Sequence, residues 1–171
     1  MNARRVKKIV MMIILMSFLI LASAISVAAG DIETELAQVR RATARFHRVE
    51  TALAAGHHLV PGIDYCWEEP GVGAMGYHYV NTDRLDTEVN ALEPETMVYV
   101  PGPNGQLQLG AVEYVVPAPA WDREGHDDLP SVLGQRFHYS AKTDKYILHA
   151  WIWRHNPAGM FEDWNPKVSC P

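Results

Sequence analysis

Hydrophobic positions recur every three or four residues in the segment from residue 31 to residue 55. The members of this stripe are Ile32, Leu36, Val39, Ala42, Phe46, Val49 and Leu53. Residues three and four apart lie on the same face of a helix, so the pattern predicts one amphipathic helix over residues 31–55. Asp31 is suited to the N-cap of that helix and Gly56 to its C-terminal end.

After Gly56 the pattern changes to short apolar runs separated by glycine, proline and asparagine. Valine, tyrosine, tryptophan and isoleucine dominate these runs, which is typical of β-strands. The predicted strands are Met75–Val80, Met97–Val100, Leu107–Val116, Arg136–Ser140 and Tyr146–Arg154. The turn Pro103-Asn104-Gly105 between two of them predicts a hairpin. The expected fold class is α+β, with one long N-terminal helix packed on a mainly antiparallel β-sheet.

The start of the chain has the features of a secretory signal peptide. A basic beginning precedes an apolar run over residues 9–25, and Val27 and Ala29 fit an A-x-A-like cleavage site. The apolar run approaches the length of a membrane-spanning helix, so an uncleaved anchor is the alternative. The small residues favour cleavage. We therefore expect a signal peptide at 1–29, a single globular α+β domain at 30–171, and a periplasmic or secreted location.

Cleavage would make the protein strongly acidic. The full chain has 15 Lys and Arg against 20 Asp and Glu, and the first 29 residues contain four of the basic residues and no acidic one. The mature chain would keep 11 basic and 20 acidic residues, a formal charge near −9. Because no basic patch remains, nucleic acid is not an expected partner. A membrane partner is expected only if the N-terminal segment stays uncleaved.

Cys66 and Cys170 are the only cysteines in the chain. In an oxidising compartment an even count of two indicates one disulfide, which would close a loop of about 100 residues. Two thiolate ligands on one metal ion are the alternative, and that arrangement is less common outside the cytosol. A Cys66–Cys170 disulfide is therefore expected.

The candidate chemistry consists of histidines and one carboxylate on the predicted strands. Strand alternation places His149 and His155 on one tryptophan-containing face of the last strand, and His78 and Glu113 interrupt earlier apolar runs. A buried imidazole or carboxylate needs a hydrogen-bond partner, an opposite charge or a metal. His78, Glu113, His149 and His155 are the predicted metal ligands. Imidazole and carboxylate together suit a divalent transition metal, namely zinc, copper or iron.

Each of these residues also has an interpretation without a metal. A hydrogen bond to a backbone carbonyl or a tyrosine hydroxyl would explain a core histidine at position 149. An ion pair with Arg154, or a position facing water, would explain Glu113. The chain contains no G-x-S-x-G, H-E-x-x-H or P-loop motif. No catalytic residue is therefore assigned.

Three segments are distinctive in their residue order. They are ATARFHRVETALAAG (Ala42–Gly56), GAMGYHYVN (Gly73–Asn81) and LHAWIWRHNPAGMFEDWNPKVSC (Leu148–Cys170). Together they resemble segments of a group of exported bacterial proteins for which no activity is established. The resemblance covers most of the mature chain and implies an exported single domain. It implies no catalytic residue.

Three functions are compatible with this sequence. The first is an exported domain that binds a metal ion or small ligand through a histidine and carboxylate site. The second is an interaction or structural module of the cell envelope, in which the histidines belong to the core and residues 156–166 form a rigid loop for a protein partner. The third is a small metal-dependent enzyme. Whether the protein is an enzyme is left open by the sequence.

Overall fold

The computed structural model describes residues 31–171 of the chain. Leu36–Pro171 form one compact unit, and residues 31–35 lie outside it. The predicted signal peptide at 1–29 lies outside the described residues. Within residues 31–171, no helix has both the length and the apolar character needed to cross a membrane.

The single long helix predicted over residues 31–55 is wrong in its extent. Residues 31–43 form helix α1, which continues into a 3-10 turn at Ala44–His47. Arg48 is extended, with φ −95° and ψ 116°, and a separate short helix, α2, runs over Val49–Ala54. The helical segment is thus broken within the apolar stripe that predicted it.

Contacts with the sheet explain where the predicted helix breaks. Leu36, Val39 and Phe46 of the apolar stripe are buried, whereas Leu53 is 40% exposed. The Tyr99 hydroxyl donates a hydrogen bond of 2.6 Å to the carbonyl of Phe46. This bond ties the end of the 3-10 turn to the sheet, and tertiary contact outweighs the helical periodicity of the residues that follow.

Antiparallel pairing organises most of the described chain into one seven-stranded sheet. The strands are β1 His58–Leu59, β2 Trp67–Glu69, β3 Gly73–Val80, β4 Thr96–Pro101, β5 Leu107–Pro117, β6 Ser131–Val132, β7 Gln135–Arg136, β8 His138–Ser140 and β9 Lys145–Ala150. The order in the sheet is β1–β3–β4–β5–β9–β8, with β2 paired to β3 off this path. The short strands β6 and β7 form a separate two-stranded sheet. A third short helix, α3, spans Ala118–Arg123, between β5 and β6. The mixed α and antiparallel β class is confirmed, and the sheet dominates it.

The hairpin predicted between β4 and β5 is confirmed. The two strands pair in antiparallel fashion from Thr96↔Glu113 to Pro101↔Leu107. The connecting turn Pro103–Gly105 holds Asn104 at φ 65° and Gly105 at φ 73°. Asparagine and glycine tolerate this left-handed conformation better than other residues, which accounts for the turn signal in the sequence.

The strand predicted over Tyr146–Arg154 ends four residues early, at Ala150. The backbone N–H groups of Trp153 and Arg154 both donate to the carbonyl of Gly110, at 3.1 and 3.0 Å. The chain therefore leaves the regular ladder after Ala150, although it stays hydrogen-bonded to β5 at Gly110. As a result, the side chains after Ala150 do not alternate between the two faces of the sheet as the sequence predicted.

The last residues of the described chain fold back onto the sheet. Asn165 pairs with Ala74 of β3 through two backbone hydrogen bonds, of 3.1 and 3.2 Å. Val168 is buried with Ala74 and Trp151 in a core cluster, and Cys170 packs against that cluster. We call residues 155–171 the C-terminal tail.

The predicted disulfide is confirmed: Cys66 and Cys170 are bonded, with their Cα atoms 5.7 Å apart. The bond joins the residue before β2 to the C-terminal tail across 104 positions of sequence. Disulfides form and persist in oxidising compartments, so this bond fits an extracytoplasmic environment.

Removing this disulfide should destabilise the protein. A loop of this length corresponds to up to about 4.7 kcal/mol in the chain-entropy model, because the unfolded chain regains freedom when the bond is lost. We expect C66S/C170S to lower the free energy of unfolding by a few kcal/mol, measured by urea denaturation. A reductant should destabilise the parent protein similarly and leave the double variant unchanged. Equal stability of parent and variant would contradict this expectation.

Glu95 is a buried acid that prolongs the β4–β5 pairing. Its carboxylate accepts a hydrogen bond of 2.8 Å from the backbone N–H of Val115, beyond the last paired residue of β4. Its own carbonyl accepts a hydrogen bond of 2.8 Å from the N–H of Asn81. Burial raises the pKa of Glu95 from 4.5 to about 7. The folded protein therefore holds this proton more tightly than the unfolded chain.

The raised pKa predicts a pH-dependent contribution of Glu95 to stability. That contribution is fully present below pH 4.5 and is lost as pH rises to about 7, because the unfolded chain releases the proton first. Glu95→Gln keeps an acceptor for Val115 and removes the titration. Its stability relative to the parent should therefore rise between pH 4.5 and 7.5, by on the order of 3 kcal/mol.

Urea denaturation at several pH values measures this difference, and Glu88→Gln is the matched control because Glu88 is exposed. The control should follow the parent at every pH. If the difference in the free energy of unfolding between E95Q and the parent stays constant with pH, the pKa of Glu95 is not raised by burial.

Candidate metal site

Three residues predicted as ligands meet on one face of the sheet. The donor atoms of His78, Glu113 and His149, one from each residue, all lie within 4.8 Å of one another, and all three residues are buried. His78 Nε2 is 3.2 Å from His149 Nε2. The Glu113 oxygens lie 3.8 Å from His78 Nε2 and 3.7 Å from His149 Nε2. Convergence of these side chains could not be judged from the sequence.

Strand register brings these side chains together. Glu113 on β5 pairs directly with His149 on β9, so their side chains project from the same face of the sheet. Glu113 also pairs with Thr96 on β4, and His78 on β3 pairs with Val98 two residues along that strand. The site therefore spans four adjacent strands, and its donors come from rigid elements instead of loops.

His149 is oriented by a carboxylate on its other side. Its Nδ1 lies 3.1 Å from an oxygen of Asp163 in the C-terminal tail. The second oxygen of Asp163 lies 2.9 Å from Nε2 of His138 on β8. An ionised carboxylate can only accept hydrogen bonds, so Nδ1 of His149 carries the proton that Asp163 accepts. This contact aims Nε2 of His149 at His78 and Glu113, as carboxylate–histidine pairs do in metal sites.

Burial and charge shift the pKa values of the cluster in different directions. Burial and the neighbouring His149 charge lower the pKa of His78 to about 3, so His78 is neutral near pH 7. Burial lowers the pKa of His149, but Glu113 and Asp163 raise it by more, and the net shift is upward. Burial raises the pKa of Glu113. The cluster thus contains one neutral imidazole, His78, which can ligate a metal. It also contains His149 and Glu113, which stabilise each other as a cation and an anion.

Asp163 remains ionised beside these groups. Burial works to raise its pKa, but hydrogen bonds from His138 and His149 outweigh burial and hold the pKa of Asp163 well below the usual range. The same hydrogen bond raises the pKa of His138, which is half exposed. Asp163 and His138 therefore form an ion pair that leads from the buried cluster toward the surface.

The ring of His78 is positioned by packing on its outer side. Trp67 of β2 contacts it edge to face, with ring centroids 5.7 Å apart. Its Nδ1, on the other edge of the ring, is buried as well. Aromatic packing therefore positions the ring of His78, whereas a carboxylate contact positions the ring of His149.

A cavity of about 390 Å³ opens onto the cluster. His78, Glu113 and Asp163 lie in its wall, whereas His149 is fully buried behind them. The rest of the wall comes from strands β3, β4, β5 and β9, the segment leading into β2, the residues after β3, the β8–β9 hairpin and Trp164 of the C-terminal tail. The cluster is thus reachable by a small molecule from one side.

The fourth predicted ligand, His155, lies apart from this group. It is exposed, in the C-terminal tail beyond β9. The expected alternation placed it on the face of His149, but the strand stops at Ala150. Arg154, considered as an ionic partner of Glu113, instead donates to the carbonyl of Lys167 at 3.1 Å.

Residues 156–166, considered as a loop for a protein partner, make several bonds within the chain. The Trp151 indole N–H donates to the carbonyl of Glu162 at 2.7 Å. The Asn156 amide donates to the carbonyls of Glu162 and Trp164, at 3.3 and 3.0 Å. These bonds hold Asp163 against His149.

Two functional candidates, Asp163 and His138, were not identified from the sequence. Asp163 sits in an irregular segment without periodicity, and His138 shares a face of its predicted strand with the polar residues Arg136 and Ser140. No sequence pattern links Asp163 to either histidine, because these residues meet only through the fold of the C-terminal tail.

We compared the chain with protein-family models, curated proteins and solved structures. None matches. The chemistry of the site must therefore be inferred from its side chains.

Those side chains form a donor set suited to a transition metal. Two imidazoles and one carboxylate are the ligands of many catalytic zinc sites and of the facial triad of non-haem iron. Three protein donors leave at least one coordination position for water or another ligand.

Proposed function

We propose that this is an exported protein, periplasmic or secreted, that binds a divalent transition metal through His78, Glu113 and His149. The observation that carries the proposal is the convergence of three buried donor atoms from three different strands within 4.8 Å of one another. Zinc, copper and iron are the metals that imidazole and carboxylate donors suit. The disulfide supports the extracytoplasmic location.

The separations between the donors support a shared ion. Ligand distances of 2.0–2.1 Å place the donors of a tetrahedral zinc site about 3.3 Å apart. The two imidazole nitrogens are 3.2 Å apart, and the Glu113 oxygens lie 3.7 and 3.8 Å from them. The latter distances exceed those of hydrogen bonds. They need to shorten by only a few tenths of an ångström around an ion.

The competing interpretation is a core cluster without metal. His78 and His149 would then share one hydrogen bond, and Glu113 would balance a protonated His149. The two interpretations differ in metal content, which can be measured directly.

A small metal-dependent enzyme is the second candidate function. The cavity favours it, because His78 and Glu113 line a space large enough for a small substrate. A metal with three protein ligands and an open position can activate a water molecule or polarise a bound carbonyl. No residue is assigned a catalytic role on this basis.

The oxidised protein, prepared without a histidine tag, should bind one equivalent of metal. Elemental mass spectrometry after incubation with zinc, copper or iron(II) and removal of free ion measures this stoichiometry. We expect H78A and H149A to lose the bound metal, since each removes one of three donors. His155→Ala is the matched control, because it removes an exposed histidine and should leave the stoichiometry unchanged.

Absence of metal from the parent protein under all three incubations would refute the metal site. Equal metal content in H149A and H155A would refute the assignment of the ligands. Circular dichroism on each variant establishes that metal loss does not reflect unfolding.

Asp163→Asn tests the orientation of His149. The amide removes the negative charge and can present an N–H group to Nδ1, which destabilises the ring position that aims Nε2 at the metal. We expect metal affinity to fall by about 10- to 100-fold, as is usual when such a carboxylate is removed. Competition with a chromogenic chelator measures the affinity.

Asp128→Asn is the control, because Asp128 is exposed and pairs with Arg136 away from the cluster. Its metal affinity should equal that of the parent. An affinity of D163N within twofold of the parent would show that Asp163 does not position His149.

A further inference from the structure

The cavity above the cluster has walls that suit a hydrocarbon chain. Its volume of about 390 Å³ lies within the range of small-molecule pockets. Apolar residues form much of its wall, among them Val60, Ile63, Met75, Leu85, Val115 and Ile147. An apolar ligand would release ordered water from these surfaces, which favours binding.

Much of the charge in the cavity wall is concentrated in two places. One is the cluster of His78 and Glu113 with the neighbouring Asp163 and His138. The other is the β8–β9 hairpin, which contributes Lys142 and Lys145 to the wall. A ligand that fits this distribution has an apolar body and one polar head that reaches the cluster.

The balance of charge indicates the sign of that head. A divalent ion beside the single carboxylate of Glu113 leaves one positive charge at the site. The charge of Asp163 is balanced by its ion pair with His138, at 2.9 Å. The two lysines add positive charge to the wall. An anionic head is therefore favoured over a neutral or cationic one.

Aromatic side chains hold Lys142 at the wall of the cavity. The ring of Trp67 stacks on Tyr65, with centroids 5.3 Å apart and planes 5° from parallel. The ammonium of Lys142 lies 3.9 Å from the centroid of Trp67. This contact holds a positive charge at the wall, where it can attract an incoming anion.

We propose that the cavity binds an apolar carboxylate, such as a medium-chain fatty acid, whose carboxylate occupies the coordination position that His78, Glu113 and His149 leave open on the metal. The inference rests on the proposed metal site. It adds the chemical class of the ligand, which the metal site alone does not specify.

Three probes separate the contributions of head and chain. Decanoate carries both, decanol carries the chain without charge, and acetate carries the head without the chain. We expect calorimetry to show decanoate binding to the metal-loaded protein at least about tenfold more tightly than to the metal-free protein. Decanol should bind both forms equally, and acetate should bind more weakly than decanoate to the loaded form.

Cavity-filling variants test the location. Val60→Trp and Leu85→Trp place a larger side chain in the wall, from loops that contribute no donor to the metal. Each should weaken decanoate binding about tenfold or more and leave the metal stoichiometry unchanged. Val72→Trp is the control, since Val72 is 47% exposed and does not line the cavity.

Metal content measured in the same samples distinguishes the two proposals. A protein that takes up no metal refutes the metal site and this inference together. A protein that binds metal, yet binds decanoate no better than decanol or equally with and without metal, refutes only the carboxylate proposal. Unchanged decanoate affinity in both tryptophan variants would exclude the cavity as the binding site.

Discussion

The Glu113 carboxylate lies on the central strand β5, and only 8% of its side chain is exposed. A carboxylate in such a position is costly unless a positive charge compensates it. The register of β5 with β9 supplies His149 directly opposite, and His78 reaches the same point from β3. Other contacts keep these groups close together. The four paired strands fix their backbones, Trp67 packs against the ring of His78, and Asp163 bonds to the far side of the His149 ring.

The support for His149 depends on a segment that has little regular structure. Asp163 is held by backbone pairing of Asn165 with Ala74, by bonds from Trp151 and Asn156 to neighbouring carbonyls, and by the disulfide at Cys170. These contacts substitute for the hydrogen-bond ladder that a strand would provide. An irregular tail can position a side chain in this way only when several independent contacts fix it.

The local signals that predicted the sheet are strong in this chain. The valine- and tyrosine-rich runs of β4 and β5 and the Asn104-Gly105 turn between them predict the hairpin without knowledge of its neighbours. The break at Arg48 was not predictable from periodicity, because it follows from the bond of the Tyr99 hydroxyl to Phe46, a contact across 53 residues. Tertiary interactions of this kind override local preference.

The sequence predicted that histidines and a carboxylate form the candidate site, but it did not predict which of these residues come together. His78, Glu113 and His149 stood out because polar groups interrupt apolar strands. His155 had the same apparent alternation, but the regular strand ends at Ala150 and His155 lies exposed in the C-terminal tail. Asp163 had no pattern to mark it, because the geometry that joins it to His149 is created by the fold of the tail.

The disulfide has a consequence for the recovery of the site after unfolding. Cys66 and Cys170 enclose His78, Glu113, His149 and Asp163 within one closed loop. In an unfolded but oxidised chain these four residues therefore stay at a higher effective concentration relative to one another than in a reduced chain. An oxidised chain therefore loses less conformational entropy than a reduced chain when these residues come together again on refolding. The strand pairing of the sheet has no such effect, because it is lost when the protein unfolds.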